Sequence, residues 1–283
     1  MSALQAWRER LEAWAIPPQI LDAAPESPYG FPTALFRARG SHAVADREAT
    51  PTTSRALEAL PPLGSVLDVG CGGGATSLPL AGRAGVIVGV DVQQDMLDGF
   101  GSNARATGVQ AGTVLGRWPD VAQNIDPVEV AVVGHVLYNV ADLEPFVRAF
   151  VTVTGRRVVF ELTERHPLHW MNDLWSRFHG LARPDGPSSD DAAAAIAELG
   201  VEPKIEYRSS PPGPGGFDRR EDALALVRRR LCLDPSRDED IERALGDRLQ
   251  ERDGGWNVGP TGLRSIATIW FDQPESSAFD RDE

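Results

Sequence analysis

Cysteine and basic residues are both scarce in this sequence, and each shortage narrows the possible functions. Cys71 and Cys232 are the two cysteines, too few for a disulfide framework or a cysteine-based metal cluster. Lys and Arg together number 28 against 41 Asp and Glu, which leaves a formal net charge of −13. Such an excess of carboxylates disfavours binding to a nucleic-acid backbone or to an anionic membrane surface.

Long apolar runs are also missing from the sequence. No stretch approaches the roughly 18–20 apolar residues that a membrane span requires. The first ten residues carry charges where a signal peptide would need an apolar segment. We therefore predict a cytoplasmic protein with no membrane partner.

The middle of the chain alternates between short apolar runs and helical patterns. The apolar runs are predicted as strands at 66–69, 86–90, 112–115, 128–133 and 157–162. Helices are predicted between them at about 76–83, 94–106 and 142–154. After residue 164 the patterns predict helices near 167–181, 190–199, 219–231 and 238–251, with strands at 203–208 and 264–271. Nearly continuous apolar strands that alternate with helices indicate a parallel sheet covered on both faces, in the α/β class.

A glycine-rich turn follows the first of these strands, in the run Val66-Leu-Asp-Val-Gly-Cys-Gly-Gly-Gly-Ala75. Glycines allow positive φ and let a ligand approach the backbone at the carboxyl end of a strand. The spacing also fits the G-x-G-x-x-A pattern of a dinucleotide site. Asp68 argues against that alternative, because a carboxylate beside the turn would repel a pyrophosphate and suits a ligand with cationic groups.

The next strand ends in an acidic residue, Asp91. It lies 21 positions after Gly70, near the roughly 20-residue spacing of a ribose-binding acid. Two carboxylates around a glycine turn indicate recognition of a nucleoside that carries a cationic amino-acid arm. The alternative interpretation of Asp91 is an ordinary helix N-cap.

At this point the chain resembles the class I S-adenosylmethionine-dependent methyltransferases. Residues 66–74 are similar to their first motif, Gly89-Val-Asp-Val92 to their second, and Gly134-His-Val-Leu-Tyr-Asn-Val140 to the segment after their fourth strand. The resemblance covers about residues 62–164. It implies S-adenosyl-L-methionine as cofactor, and a doubly wound, Rossmann-like seven-stranded sheet with an antiparallel last strand, plus N-terminal and C-terminal helical cap elements.

The resemblance also assigns residues to the parts of this cofactor. By this resemblance, the methionine portion would contact residues of the first motif and the start of the segment after the fourth strand. These are Asp68, Gly70, Cys71, Gly72, Gly74 and His135. Asp91 would bind the ribose hydroxyls. Val92, Arg117 and Trp118 would surround the adenine, although Trp118 fits a packing residue equally well.

Residues on the acceptor side are predicted from their place after the fourth and fifth strands. His135 and Tyr138 follow the fourth strand, and His166 follows the fifth. We name these three as candidate catalytic residues, since a histidine can take a proton from a hydroxyl or amine. As alternatives, His166 could cap a helix, and His169 could form an i, i+4 pair with Asp173. We predict no metal site, because no third ligand lies near these histidines.

The first 61 residues are too short and too rich in Pro, Gly and Ser to form a core alone. Five aromatic side chains in this segment need apolar surface to cover: Trp7, Trp14, Tyr29, Phe31 and Phe36. We therefore predict an N-terminal helical lid at 1–61 and an S-adenosylmethionine-binding core at 62–164. Cap helices with the last two strands of the same domain would follow at 165–271, and a flexible acidic tail at 272–283.

The predicted function is methyl transfer to oxygen, nitrogen or carbon of a small-molecule acceptor. The sequence identifies neither the acceptor nor the oligomeric state, and nucleic acid is not an expected partner. Two alternatives stay open: a nicotinamide-dependent oxidoreductase, and a non-catalytic binding protein that retains the fold.

Overall fold

Nine strands and nine helices make up the computed structural model in the parts it describes, residues 1–29, 50–212 and 216–273. The strands are β1 Gly64–Val69, β2 Ala84–Asp91, β3 Gln110–Leu115, β4 Val128–Gly134, β5 Thr154–Thr163, β6 Lys204–Ser210, β7 Leu249–Arg252, β8 Gly255–Val258 and β9 Arg264–Asp272. The helices are α1 Ala3–Glu12, α2 Pro18–Asp22, α3 Pro51–Ala59, α4 Gln94–Thr107, α5 Leu143–Val153, α6 Asn172–His179, α7 Ser189–Ala197, α8 Arg220–Arg230 and α9 Asp238–Leu245. Their order along the chain confirms the predicted α/β class.

Seven of the strands form one sheet in the order β3-β2-β1-β4-β5-β9-β6. Strands β1 to β5 are parallel, whereas β9 runs antiparallel to both of its neighbours, β5 and β6. This topology confirms the predicted doubly wound sheet with an antiparallel last strand. The strand order reverses between β1 and β4, and ligands of such sheets bind at that point, beyond the carboxyl ends of the strands.

The two faces of the sheet carry separate hydrophobic cores. One face buries Phe150 and Phe160 together with residues of α1, α5 and α7. The other face packs against α3 and α4, with Phe100 fully buried. A third, smaller core joins α6, α8 and α9, where Trp175 and Ile241 are buried. These last helices therefore form a layer of their own beside the sheet.

Helix α1 is integrated into the first of these cores. Its Trp7 is fully buried, and the indole Nε1 donates a hydrogen bond to the carbonyl of Val140 at 2.8 Å. Trp14 follows the helix and donates from Nε1 to the carbonyl of Gly186 at 2.6 Å. This end of the predicted lid thus packs against the main body, while Phe31 and Phe36 lie outside the described residues.

Two of the predicted helices are wrong in part. The segment predicted as a helix at 76–83 forms turns and a short 3₁₀ helix, Leu78–Leu80. Pro79 has no backbone N–H to donate, and the Ser77 hydroxyl is engaged by Asp68, so a regular helix does not develop before β2 begins. The helix predicted at 238–251 ends at Leu245, and the following residues form the β7–β8 hairpin.

The sequence did contain a signal for that hairpin. Asp253 and Gly254 join the two strands, and both have positive φ, 51° and 79°. Asp-Gly is a preferred pair for a two-residue hairpin turn of this conformation. No described helix has the length and apolar character needed to cross a membrane.

Candidate functional site

The turn after β1 has a backbone conformation that only glycine adopts easily. Gly70, Gly72 and Gly74 have φ values of +69°, +50° and +84°. A Cβ atom on Gly70 would lie 2.4 Å from Cγ2 of Val136, and one on Gly74 would lie 2.6 Å from a methyl carbon of Leu78. The turn is therefore pressed against the segment that follows β4, which brings the first motif and His135 to the same edge of the sheet.

The backbone donors of this turn point into the protein. The N–H groups of Gly70 and Cys71 both donate to the carbonyl of Val90, at 2.8 and 3.1 Å. The N–H of Gly72 donates to Oδ2 of Asp91 at 3.1 Å. A dinucleotide site instead directs such N–H groups, together with a helix N-terminus, at the pyrophosphate. Between this turn and β2 the chain forms a 3₁₀ turn and no α-helix, so the geometry does not suit a pyrophosphate.

Asp68 places a buried carboxylate directly before the turn. Its side chain is 1% exposed, and Oδ2 accepts a hydrogen bond of 2.6 Å from the hydroxyl of Ser77. Oδ1 is buried without a hydrogen-bond partner in the structure. Burial and the charge of Asp91 raise the pKa of Asp68 to about 7, against the lowering effect of Ser77. A buried carboxylate with an unsatisfied oxygen fits a ligand that brings a positive charge or a donor.

Asp91 ends β2 and organises the loop around it. Oδ2 holds the N–H of Gly72, and Oδ1 accepts the N–H of Gln93 at 3.0 Å. Asp91 is thus more than a helix cap, because it ties the first motif to the second. The next side chain, Val92, is 56% exposed and offers an apolar surface at the same edge.

The two residues predicted around the adenine behave differently. Arg117 is exposed after β3, close to this edge. Trp118 is only 6% exposed, stacks on Phe150 with ring centroids 4.6 Å apart, and donates from Nε1 to the carbonyl of Phe146. These contacts fit the alternative of a packing residue, and the adenine contact stays a prediction.

His135 stands at the carboxyl end of β4 in a left-handed conformation, with φ of 59°. Its side chain is 48% exposed, and Nε2 lies 3.3 Å from Oε1 of Glu161. Burial alone would raise the pKa of Glu161, but hydrogen bonds from His135 and Thr52 and the charge of Arg208 outweigh it and lower the pKa to about 2. The structure thus supports an accessible imidazole with a buried, ionised carboxylate.

The other two predicted catalytic residues lie inside the protein. Tyr138 is 6% exposed, and its hydroxyl donates to the carbonyls of Thr163 and Glu164 at 2.8 and 3.2 Å. Burial raises the pKa of Tyr138 well above its ordinary value. The hydroxyl of Tyr138 thus joins two loops, and its catalytic role stays a prediction.

His166 is also buried. Its ring stacks on Trp14 with centroids 3.7 Å apart, and Nδ1 accepts the N–H of Leu168 at 3.3 Å. Burial and the nearby charge of Arg183 lower the pKa of His166 to about 3, so the ring is neutral. These contacts fit the capping alternative, and the catalytic role of His166 stays a prediction.

The remaining side chains singled out in the sequence have structural contacts. Burial raises the pKa of the Cys71 thiol, which packs beside Gly89, so Cys71 is no nucleophile. His169 approaches Asp185 at 3.3 Å, whereas Asp173 pairs with Arg248, so the predicted i, i+4 pair does not form. Across the described ranges no group of three or more His, Cys, Asp or Glu is arranged to hold a metal ion.

Two threonines beside Glu161 were not predicted. Thr52 of α3 donates to Oε2 of Glu161 at 2.6 Å and contacts the hydroxyl of Thr268 on β9 at 2.8 Å. Arg208 on β6 approaches the same carboxylate oxygen at 3.6 Å. These residues come from distant parts of the chain. They meet because β9 inserts beside β5, and no local pattern in the sequence indicates that pairing.

Comparison with known proteins agrees with this geometry. Residues 66–155 match a family model described as a methyltransferase domain. The chain is 31% identical over 96 residues to a ubiquinone biosynthesis O-methyltransferase of Rhizobium etli, covering 34% of this chain and 37% of the relative. It is 29% identical over 178 residues to the protein of that name from Rhizobium rhizogenes, covering 56% of this chain and 70% of the relative.

Solved structures show the same fold at low sequence identity. A cyclopropane-fatty-acyl-phospholipid synthase-like protein from Lactobacillus casei superposes with a TM-score of 0.52 at 15% identity, covering 93% of this chain and 99% of that one. A putative methyltransferase from Bacillus halodurans gives a TM-score of 0.51 at 14% identity, covering 80% and 100%. These likenesses support the fold and carry no information about the acceptor.

Proposed function

Because the chain belongs to the class I S-adenosylmethionine-dependent methyltransferase superfamily, with S-adenosyl-L-methionine as its cofactor, we propose that it methylates oxygen, nitrogen or carbon of a small-molecule acceptor. The observation that carries this proposal is the buried Asp68 carboxylate, with one oxygen unpartnered, directly before the glycine turn. Methyl transfer to a hydroxyl is the first reaction to test, since the two curated relatives are named O-methyltransferases.

The residues at this edge fit the cofactor. Oδ1 of Asp68 has no hydrogen-bond donor in the structure. The ammonium group of the cofactor's methionine arm would supply one. The absence of a Cβ at Gly70 and Gly74 lets the turn pack closely against Val136 and Leu78 in this conformation. Each carboxylate oxygen of Asp91 accepts one backbone N–H, from Gly72 or Gln93, and so keeps a lone pair that would accept a hydrogen bond from a ribose hydroxyl. Val92 and Arg117 would lie along the adenine.

When bound, S-adenosylmethionine supplies a methyl group that its sulfonium centre already makes electrophilic. The protein therefore mainly has to align the acceptor, exclude water and take up a proton. Nε2 of His135 faces Glu161, which favours the tautomer with the proton on Nε2 and leaves Nδ1 to accept a proton from the acceptor. Glu161 is ionised and buried, so it holds the imidazole in this orientation.

Calorimetric titration tests the cofactor part of the proposal. The protein should bind S-adenosylhomocysteine and show no useful affinity for NAD, and the reverse result would support the oxidoreductase alternative. Asp68→Asn should weaken S-adenosylhomocysteine binding, whereas Asp126→Asn, an exposed acid on the loop before β4, serves as the matched control.

Transfer from labelled S-adenosylmethionine to a library of phenols, amines and activated methylene compounds tests the reaction. Product with at least one acceptor class is expected. Binding without product across the whole library would favour the non-catalytic alternative. His135→Gln should lower turnover more than it lowers cofactor affinity, because it removes a proton acceptor and retains a polar side chain.

A further inference from the structure

Two arginines lie together at the carboxyl edge of the sheet, on the face covered by α3. Arg208 belongs to β6 and pairs in register with Ile266, and Arg264 of β9 pairs with Ser210. Because side chains two positions apart on a strand share a face, the two guanidinium groups are diagonal neighbours on adjacent strands. The register of β5 with β9 places Glu161 on the same face, beside Thr268.

Neither arginine has a full set of partners. Nε of Arg264 is buried without a hydrogen bond, and no carboxylate of the described residues comes within ion-pair distance of its guanidinium. Nε of Arg208 is also buried and unpartnered, and its closest carboxylate, Glu161, lies 3.6 Å away. Glu206, an acid on the same face, is taken up by two hydrogen bonds of 2.9 and 3.0 Å from Arg55.

The arrangement is electrostatically unfavourable as it stands. Burial and the positive charge of Arg208 lower the pKa of Arg264, and no carboxylate of the described residues raises that pKa in return. Half-buried like charges on neighbouring strands repel each other, and buried donors without acceptors cost free energy. Glu161 cannot relieve both arginines, because it already accepts from Thr52 and faces His135. An external anion would satisfy the free donors of Arg208 and Arg264 together.

This pair lies beside the proposed proton acceptor. His135 approaches Oε1 of Glu161 at 3.3 Å, and Arg208 approaches Oε2 at 3.6 Å. A single carboxylate group therefore separates the imidazole from the nearer guanidinium. A group bound by the arginines would sit on the acceptor side of the site, away from Asp68 and Asp91, which belong to the other half of the sheet.

We propose that Arg208 and Arg264 form an anion subsite that binds a carboxylate or phosphate group on the methyl acceptor, next to His135. This inference rests on the proposed methyl transfer for the identity of the bound molecule. Guanidinium groups bind both oxyanions through paired hydrogen bonds. The acceptor class is thus a small organic anion, in a protein whose overall charge is strongly negative.

The test uses three probes that share one ring: benzoate, phenyl phosphate and neutral benzamide. Their binding to the full-length protein saturated with S-adenosylhomocysteine is measured by saturation-transfer NMR titration. Both anions, or one of them, should bind at least tenfold more tightly than benzamide, and the better anion identifies the acceptor's charged group. Arg264→Met should reduce anion affinity roughly 10- to 100-fold, the range expected for a hydrogen-bonded charge pair.

Arg264→Lys keeps the charge and should recover part of the affinity, whereas Arg148→Met, at an exposed ion pair on α5, should leave it unchanged. Equal binding of all three probes, or anion binding that survives Arg264→Met, would overturn the subsite. S-adenosylhomocysteine affinity is measured separately for each variant and should not change. A wild-type protein with no affinity for S-adenosylhomocysteine would contradict the proposed function. The anion titration is then carried out without S-adenosylhomocysteine, and the same two outcomes decide the subsite.

Discussion

Replacement of Asp68 by asparagine should change how the stability of the cofactor-free protein depends on pH. Asparagine has nearly the same shape and can still accept the hydrogen bond from Ser77, but it cannot ionise. The native carboxylate is 1% exposed, and its pKa is raised from the ordinary 3.8 to about 7 by burial and by the charge of Asp91. Ionisation of Asp68 is therefore easier in the unfolded chain than in the folded one.

The size of the effect follows from this difference. A displacement from 3.8 to about 7, at about 1.4 kcal/mol per pH unit, corresponds to roughly 4 kcal/mol. For an acid with a raised pKa, the stabilisation is complete below the unfolded value and is lost as pH rises through the folded value. Between pH 5.5 and pH 8 the wild-type protein should lose about 2 kcal/mol of unfolding free energy through Asp68 alone.

Urea unfolding measures the free energy of unfolding directly. It is carried out on cofactor-free wild type and Asp68→Asn at several pH values between 5.5 and 8. The difference between the two proteins should shift by about 2 kcal/mol in favour of the variant as pH rises. Any constant cost of the buried amide cancels in that comparison, and Asp126→Asn should show no shift. A difference that stays constant over this range would refute the reasoning, because it would mean that Asp68 is not desolvated in the folded protein.

Three further substitutions test the other assignments. Asp91→Ala should weaken S-adenosylhomocysteine binding roughly 10- to 100-fold in calorimetry, through loss of ribose hydrogen bonds and of the anchor on the glycine turn, and unchanged affinity would leave Asp91 a purely structural role. Tyr138→Phe should leave turnover nearly unchanged but lower the unfolding free energy by about 0.5–1.5 kcal/mol, because the Tyr138 hydroxyl binds backbone carbonyls. A large loss of activity would instead support a catalytic role for Tyr138. Glu161→Gln should reduce turnover and destabilise the protein near pH 7. The destabilisation should shrink as pH falls below 4.5 towards the folded pKa of about 2, because the wild-type carboxylate becomes protonated over that range. A pH-independent difference in unfolding free energy, measured with urea, would contradict this pH dependence.

The cofactor half of the site could be predicted from sequence because its signals are local. Asp68 and the glycines lie within seven consecutive residues, and Asp91 ends the next strand at a recognisable spacing. Parallel neighbouring strands bring such residues to one edge without further information. The same reasoning predicts His135 at this edge, since it follows the adjacent strand β4 in the sheet.

Chain position alone does not show how deeply a polar side chain is buried. Tyr138 and His166 follow the proper strands, yet Trp7 and Trp14 of the N-terminal segment stack on them and enclose them. The sequence showed that those tryptophans needed apolar surface, but not which surface they would cover. Trp118 is a similar case, because its position beside the site says nothing about which way its ring turns.

The acceptor half depends on pairing between distant strands, and this has a consequence for specificity. Strand β9 inserts between β5 and β6, so Thr268 comes to lie beside Glu161 and, from the N-terminal side, Thr52, while Arg264 of the same strand pairs with the end of β6. None of these four side chains belongs to the turn after β1 or to the end of β2. The groups proposed to bind the acceptor can therefore change without disturbing the residues proposed to bind the cofactor. This separation explains why the local motifs identify the cofactor so readily, whereas the acceptor must be inferred from charges that only the folded sheet assembles.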